Sequence, residues 1–131
     1  MMRAPTNRVM LLLHGPRSSR CQVWPLVAKA VDTGRFDTVL CWYNAAMAEA
    51  TAMVFPAAAR HGTGVVIMNA SARGGAKSFV DELSTVAEAP AEEQFYRYVL
   101  THPDVDVSVM GLRDIERFRT VGQVHILTLP S

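Results

Sequence analysis

The stretch that decides the fold is FDTVLCWYNAAMAEATAMVFPAAARHGTGVVIMNASARGG, residues 36–75. Its first seven residues are rich in β-branched and aromatic side chains without strict alternation, which is typical of a strand buried on both faces of a parallel sheet. Residues 49–61 contain good helix formers, end in basic residues and stop at Gly62. Residues 64–68, GVVIM, predict a second strand. We therefore expect a strand, a crossover helix and a second, parallel strand.

Composition sets the size and the charge of the fold. A chain of 131 residues, 50% of them hydrophobic, predicts a single domain over residues 1–131 with a real core. Lys and Arg number 13 and Asp and Glu number 12, so no charge surplus points to a polyanion. We therefore expect neither nucleic acid nor a membrane surface as a partner.

The two cysteines, Cys21 and Cys41, stand apart with no Cys-x-x-Cys spacing. Cys41 falls inside an apolar strand, where a reduced and buried thiol is the usual state. The apolar run at residues 9–13 is too short for a membrane span or for a convincing signal peptide. These features predict a cytoplasmic protein, and no metal site is expected.

Further elements flank the central stretch. The run at residues 9–13 predicts a strand, and residues 17–22 read as a polar loop. A helix is expected over residues 23–32, with Pro25 near its start and Gly34 as its stop.

Downstream of the central stretch, Pro90 opens a helix over residues 91–100. Alternating valines over residues 105–109 predict a further strand, the third counted from residue 36, which Gly111 closes. Asp114 is a candidate N-cap for a helix through Arg119. The tail over residues 121–131 contains an apolar run whose structure periodicity does not decide.

Two groups of polar residues follow predicted strands. His14 ends the first strand, at the position where parallel sheets place ligand-facing groups, although a local hydrogen bond at the strand end is the favoured interpretation from the sequence alone. The small-residue loop at residues 69–77 contains Arg73 and Lys77, which suit an anion. An ordinary turn is an equally good interpretation of that loop.

Several segments together resemble a known family. They are Tyr43-Asn44 after a strand, HGTGVVIM at residues 61–68, ARGG at residues 72–75 and RYVLTHPDVDVSVMGLR at residues 97–113. In order and spacing they resemble the C-terminal half of the aldo/keto reductase family, nearly without gaps over residues 23–117. LLLH at residues 11–14 is similar to the family's fourth-strand motif.

The resemblance implies a fold and an activity. The fold would be α/β, a partial TIM (α/β)8-type barrel of about four parallel strands with crossover helices. The family binds NADP or NAD at the C-terminal face of its strands and transfers hydride to or from a small carbonyl substrate. An oxidoreductase activity is therefore implied for this chain.

The resemblance also implies site residues. His14 matches the catalytic histidine that polarises the substrate carbonyl. Met68 and Asn69 fall beside the nicotinamide, while Arg117 falls near the adenine. The turn that holds the adenosine-side phosphate would contain Gly111, Leu112 and Arg113. Further cofactor contacts are implied at Asn44, Arg73 and Gly74.

The chain departs from the family pattern in places that bear on activity. The family's catalytic Asp, Tyr and Lys lie on its first three strands, and the residues before Leu11 do not supply them. Leu40 stands where the family usually has Gln, and Ala70 where it often has Pro. Catalysis by the isolated chain is therefore expected to be impaired.

Strand number leaves a second hypothesis open. Four strands cannot close an eight-stranded barrel, because closure links strand number to tilt and shear. The chain is then either an oxidoreductase of the aldo/keto reductase type or a non-catalytic half-barrel. The half-barrel would bind nucleotide weakly or act as an interaction module, as a homo-oligomer or with a complementing half-barrel chain.

Overall fold

The computed structural model describes residues 10–12, 20–45, 47–71, 92–111 and 115–122. Its strands are β1 (Met10–Leu12), β2 (Thr38–Trp42), β3 (Gly64–Met68) and β4 (Val107–Ser108). They form one sheet in the order β1-β2-β3-β4, and every neighbouring pair is parallel. The predicted parallel α/β arrangement is confirmed.

In the described ranges four helices accompany the strands: α1 (Arg20–Asp32), α2 (Ala50–His61), α3 (Glu92–Leu100) and α4 (Ile115–Gly122). The end of α2 follows the sequence prediction, because Gly62 caps it with a left-handed φ of 65°. Glycine adopts this conformation at little cost. The cap turns the chain directly into β3.

One face of the sheet carries the core. Val39 and Cys41 of β2 and Val65 and Ile67 of β3 are fully buried or nearly so, and they form one cluster with apolar residues of α1, α2 and α3. The alternating burial along both strands follows from the two-residue period of side chains in a strand. Helices therefore cover this face, and burial raises the pKa of the Cys41 thiol to about 12.

The opposite face of the sheet is also apolar but is less covered. Leu40, Val66 and Met68 are half-buried there, and Val107, which is in register with Val66, is 49% exposed. The predicted burial of strands on both faces is thus only half correct, because among the described residues the helices pack on one face alone.

Several boundaries differ from the sequence predictions. The helix α4 runs to Gly122, three residues past the predicted end at Arg119. The helix α1 begins at Arg20, so residues 20–22 are helical and Pro25 lies inside the helix instead of near its start. The strand β2 begins at Thr38 and not at residue 36. The strand β4 contains only Val107 and Ser108, because the Val105 amide donates to His102 O and keeps that residue in the preceding turn.

Other predictions lie outside the described residues. They concern the loop over residues 72–77, the N-cap at Asp114 and the tail at residues 123–131. Within the described part of the chain, none of the helices combines the length and the apolar character needed to cross a membrane.

Candidate functional site

The carboxyl ends of the parallel strands define the candidate site. Strand β2 ends at Trp42, β3 at Met68 and β4 at Ser108, and Trp42 and Met68 are register partners. Residues that follow these strands emerge at the same edge of the sheet, the carboxyl edge. In open parallel sheets ligands bind outside this edge.

Two of the residues implied by the resemblance are joined at the carboxyl edge. Asn44 Nδ2 donates a hydrogen bond to Asn69 O over 3.1 Å, which links the turn after β2 to the turn after β3. Asn44 is fully buried, and its backbone exchanges two hydrogen bonds with Met47, of 3.1 and 3.0 Å. A fully buried amide that is bonded in this way orders its neighbours and is shielded from solvent.

Asn69 has an unusual backbone at this edge. Its φ is +63°, and no other non-glycine residue of the described ranges has a positive φ. Asparagine is one of the few residues with a side chain that tolerates the left-handed region, and such conformations concentrate at functional sites. Asn69 is half-buried, and Ala70 after it is buried.

Gly111 provides open space near the end of β4. A methyl group built at Gly111 would have no atom of the described residues within 4 Å, its chain neighbours aside, and the residue has no left-handed φ. The described part of the chain therefore gives no steric reason for glycine at this position. A backbone without a side chain permits close approach by a bulky group such as a phosphate.

Arg117 lies in the first turns of α4, the helix that follows Gly111 in the chain. The planar guanidinium of arginine suits phosphate and stacks on aromatic rings. His14, Arg73, Gly74, Leu112 and Arg113 lie outside the described residues. The structure thus brings together Asn44 and Asn69, and places Met68 at the end of β3 and Gly111 shortly after the end of the neighbouring strand β4.

An aromatic cluster supports the carboxyl edge from the helix side. The Tyr43 ring, directly before Asn44, packs edge-on to Phe55 at 5.3 Å between centroids and stacks on Tyr98 at 5.8 Å. His102 contacts the Tyr43 and Phe55 rings edge-on. Burial, with a hydrogen bond to Tyr98, raises the pKa of Tyr43, so its phenol stays protonated and acts as a packing group.

Sequence reasoning did not find this cluster or the link between Asn44 and Asn69. Both depend on contacts between residues far apart in the chain, such as Asn44 with Asn69 and Tyr43 with Tyr98. The local signal was an Asn within two residues of the end of each of two strands, because Asn is common in turns.

A cleft of about 290 Å³ lies at the opposite edge of the sheet, around the amino ends of β3 and β4. Its lining includes Asp104 and Asp106, and Asp106 Oδ2 accepts a hydrogen bond from the Val65 amide over 2.7 Å. Carboxylates repel a diphosphate, so this cleft does not suit a dinucleotide. No cluster of three or more metal-ligating side chains occurs among the described residues.

Comparison with known proteins gives no match: no protein-family model, no curated protein and no solved structure matches the chain. The aldo/keto reductase assignment therefore rests on the sequence segments quoted above.

Proposed function

We propose that the chain is a half-barrel of the aldo/keto reductase type that binds NADP or NAD at its carboxyl edge. The observation that carries the proposal is the parallel sheet in sequential strand order, β1-β2-β3-β4, which is the order of strands in an (α/β)8 barrel. Helices of the described chain pack on one face of this sheet, as they do on the outside of a barrel. The other face corresponds to the barrel interior.

The residues at the carboxyl edge fit a dinucleotide. Gly111 leaves room for a phosphate, and the Asn44–Asn69 link holds the turn where the nicotinamide end would lie. The resemblance assigns Arg117, on the following helix, to the adenine end. A bound nicotinamide supplies hydride to a carbonyl carbon, and His14 would polarise the carbonyl oxygen.

The chain alone is expected to be a poor catalyst. Carbonyl reduction requires a proton for the developing alkoxide, and a positioned general acid contributes about 10²- to 10⁴-fold. Tyr43 is a buried packing group, so it does not replace the family's tyrosine. We therefore propose that the chain alone binds the cofactor. Its reduction of small carbonyl substrates would be weak, or would require a complementing chain.

Gly111→Val tests the cofactor site. The Cβ of the added side chain enters space that is open among the described residues, so we expect the protein to fold. The same side chain would occupy the space that a bound phosphate needs. We expect wild-type protein to bind NADPH saturably in a fluorescence titration, and Gly111→Val to weaken binding at least about tenfold, equal to about 1.4 kcal/mol.

Ala59→Val is the matched control, because Ala59 is exposed in α2 and lines the cleft at the opposite edge. This variant should bind NADPH as the wild type does. If wild-type protein does not bind NADPH or NADH, the proposed cofactor function is wrong.

A second candidate function is association through the less covered face of the sheet. Val107 and Val109 are 49% and 44% exposed, and Leu40, Val66 and Met68 on the same face are half-buried. A contiguous exposed apolar patch marks an interaction site more often than a free surface. The partner would be a second half-barrel, as another copy of this chain or as a complementing chain.

Val107→Asp tests this association. A charge on the face should prevent close packing of a second apolar sheet, because burial of an unpaired carboxylate is costly. We expect wild-type protein to sediment as a dimer at micromolar concentration and Val107→Asp to sediment as a monomer. Glu116→Lys, on the exposed surface of α4, should leave the dimer intact. A wild-type monomer would exclude self-association.

A further inference from the structure

We propose that Asn44 is a positioning residue, which fixes the backbone of Asn69 and thereby raises the affinity of the carboxyl edge for the dinucleotide. The inference rests on the proposed cofactor function. It assigns to Asn44 a role that acts through Asn69 and involves no contact with the cofactor.

Burial supports an indirect role for Asn44. None of its surface is accessible, so a ligand at the carboxyl edge cannot touch its side chain in this conformation. Its backbone is anchored by the two hydrogen bonds with Met47, which hold the turn between β2 and α2. The position of the Asn44 amide donor is therefore held by the hydrogen bonds of its own backbone.

The acceptor of that donor is a residue in an unfavourable backbone conformation. Asn69 has φ +63°, a region in which residues with a Cβ are disfavoured relative to glycine. Its carbonyl oxygen receives the Asn44 Nδ2 donor over 3.1 Å. This hydrogen bond fixes the peptide group between Asn69 and Ala70, which is the first peptide beyond β3.

The effect on affinity follows from the fraction of molecules with the correct turn. Apparent affinity falls in proportion to the population of the binding-competent conformation. Without the Asn44 donor, no hydrogen bond from Asn44 compensates the free-energy cost of the positive φ of Asn69. The backbone of Asn69 should then relax toward negative φ. A fall of the competent fraction to about one tenth would weaken binding about tenfold.

A double-mutant cycle separates positioning from general stability. Asn44→Ala should weaken NADPH binding about tenfold in the wild-type background. Asn69→Gly, whatever its own affinity for NADPH, provides the reference background, since glycine adopts positive φ unaided and needs no support from Asn44. Adding Asn44→Ala to Asn69→Gly should then cause only a further change of about twofold. Rescue of this kind is not expected if Asn44 merely stabilises the fold.

Asn69→Ala provides a second route if Asn44→Ala folds poorly. It removes the same polar atoms as Asn69→Gly but retains a Cβ, so it should bind NADPH more weakly than Asn69→Gly. Equal affinities of Asn69→Ala and Asn69→Gly would overturn the proposal. Equal losses from Asn44→Ala in both backgrounds would also overturn it.

A readout that needs no cofactor separates this inference from the proposed function. A positive φ brings the amide and α protons of a residue close, which gives a strong intraresidue nuclear Overhauser effect. We expect this effect at Asn69 in wild-type protein and its loss in Asn44→Ala. Its persistence in Asn44→Ala would overturn the positioning role, whereas absence of NADPH binding by wild-type protein would overturn the proposed function and the gain in affinity with it.

Discussion

At the scale of single residues, Asp32 connects the ends of two helices. Its Oδ1 accepts hydrogen bonds from Arg60 Nη2 over 2.9 Å and from Arg60 Nε over 3.2 Å, and it lies 3.1 Å from His61 Nε2. The hydrogen bonds from Arg60, with its charge and the His61 contact, lower the pKa of Asp32. All these side chains are partly exposed, so solvent weakens the attraction.

Asp32→Asn should therefore reduce stability in a pH-dependent way. Because the pKa of Asp32 is lower in the folded protein, its contribution is present above the ordinary value of 3.8 and is lost as the pH falls through the lowered value. We expect Asp32→Asn to have a lower urea midpoint than wild type at pH 7 and the same midpoint near the acid limit. Urea unfolding followed by circular dichroism across this pH range measures it.

Arg35→Gln is the control for the Asp32 variant. Arg35 is exposed and forms no ion pair with any of the described residues. Its neutralisation removes a surface charge without breaking an ion pair, so the urea midpoint should shift little and by the same amount at pH 7 and near the acid limit. A difference between Asp32→Asn and wild type that does not change with pH would contradict the assigned role of the Asp32 carboxylate.

At the scale of elements, the sequence predicts β3 and the end of α2 correctly because their signals are local. The apolar run GVVIM begins at Gly64 and is followed by a turn. Gly62 ends α2 because glycine adopts the left-handed conformation of the cap at little cost. The start of α1 was misplaced because Pro25 is favoured in a first turn, but Val27 and Val31 of α1 are buried in the core and tertiary packing holds the helix together around the proline.

The candidate site was predicted only in part for a related reason. The sequence places Asn44, Met68 and Asn69 after parallel strands, and the strand directions bring them to one edge. The pairing of Asn44 with Asn69 depends on the register between β2 and β3, which local sequence does not determine. The cofactor roles of these residues remain predictions.

The central element of the fold is β3, which pairs with β2 on one side and β4 on the other. Ile67 is fully buried under the helices, so Ile67→Ala should destabilise the protein by about 2–5 kcal/mol. Met53→Ala in α2, where Met53 is 44% exposed, should change stability by less than about 0.5 kcal/mol. Urea unfolding compares the two, and equal effects would contradict the assigned core face.

At the scale of the whole molecule, the two edges of the sheet have different chemistry. The carboxyl edge contains the linked asparagines and Gly111, whereas the amino edge contains the cleft with Asp104 and Asp106. Parallel strands create this division, because all their carboxyl ends meet at one edge. The proposed function assigns the dinucleotide to the carboxyl edge.

The most direct test is to map NADPH on the ¹⁵N-labelled protein by nuclear magnetic resonance. We expect NADPH to shift the amide signals at the carboxyl edge, including Asn69 and Gly111, and to leave Gly64 and Asp106 at the amino edge unchanged. Shifts confined to the amino edge, or no shifts at saturating NADPH, would contradict the proposed half-barrel oxidoreductase site.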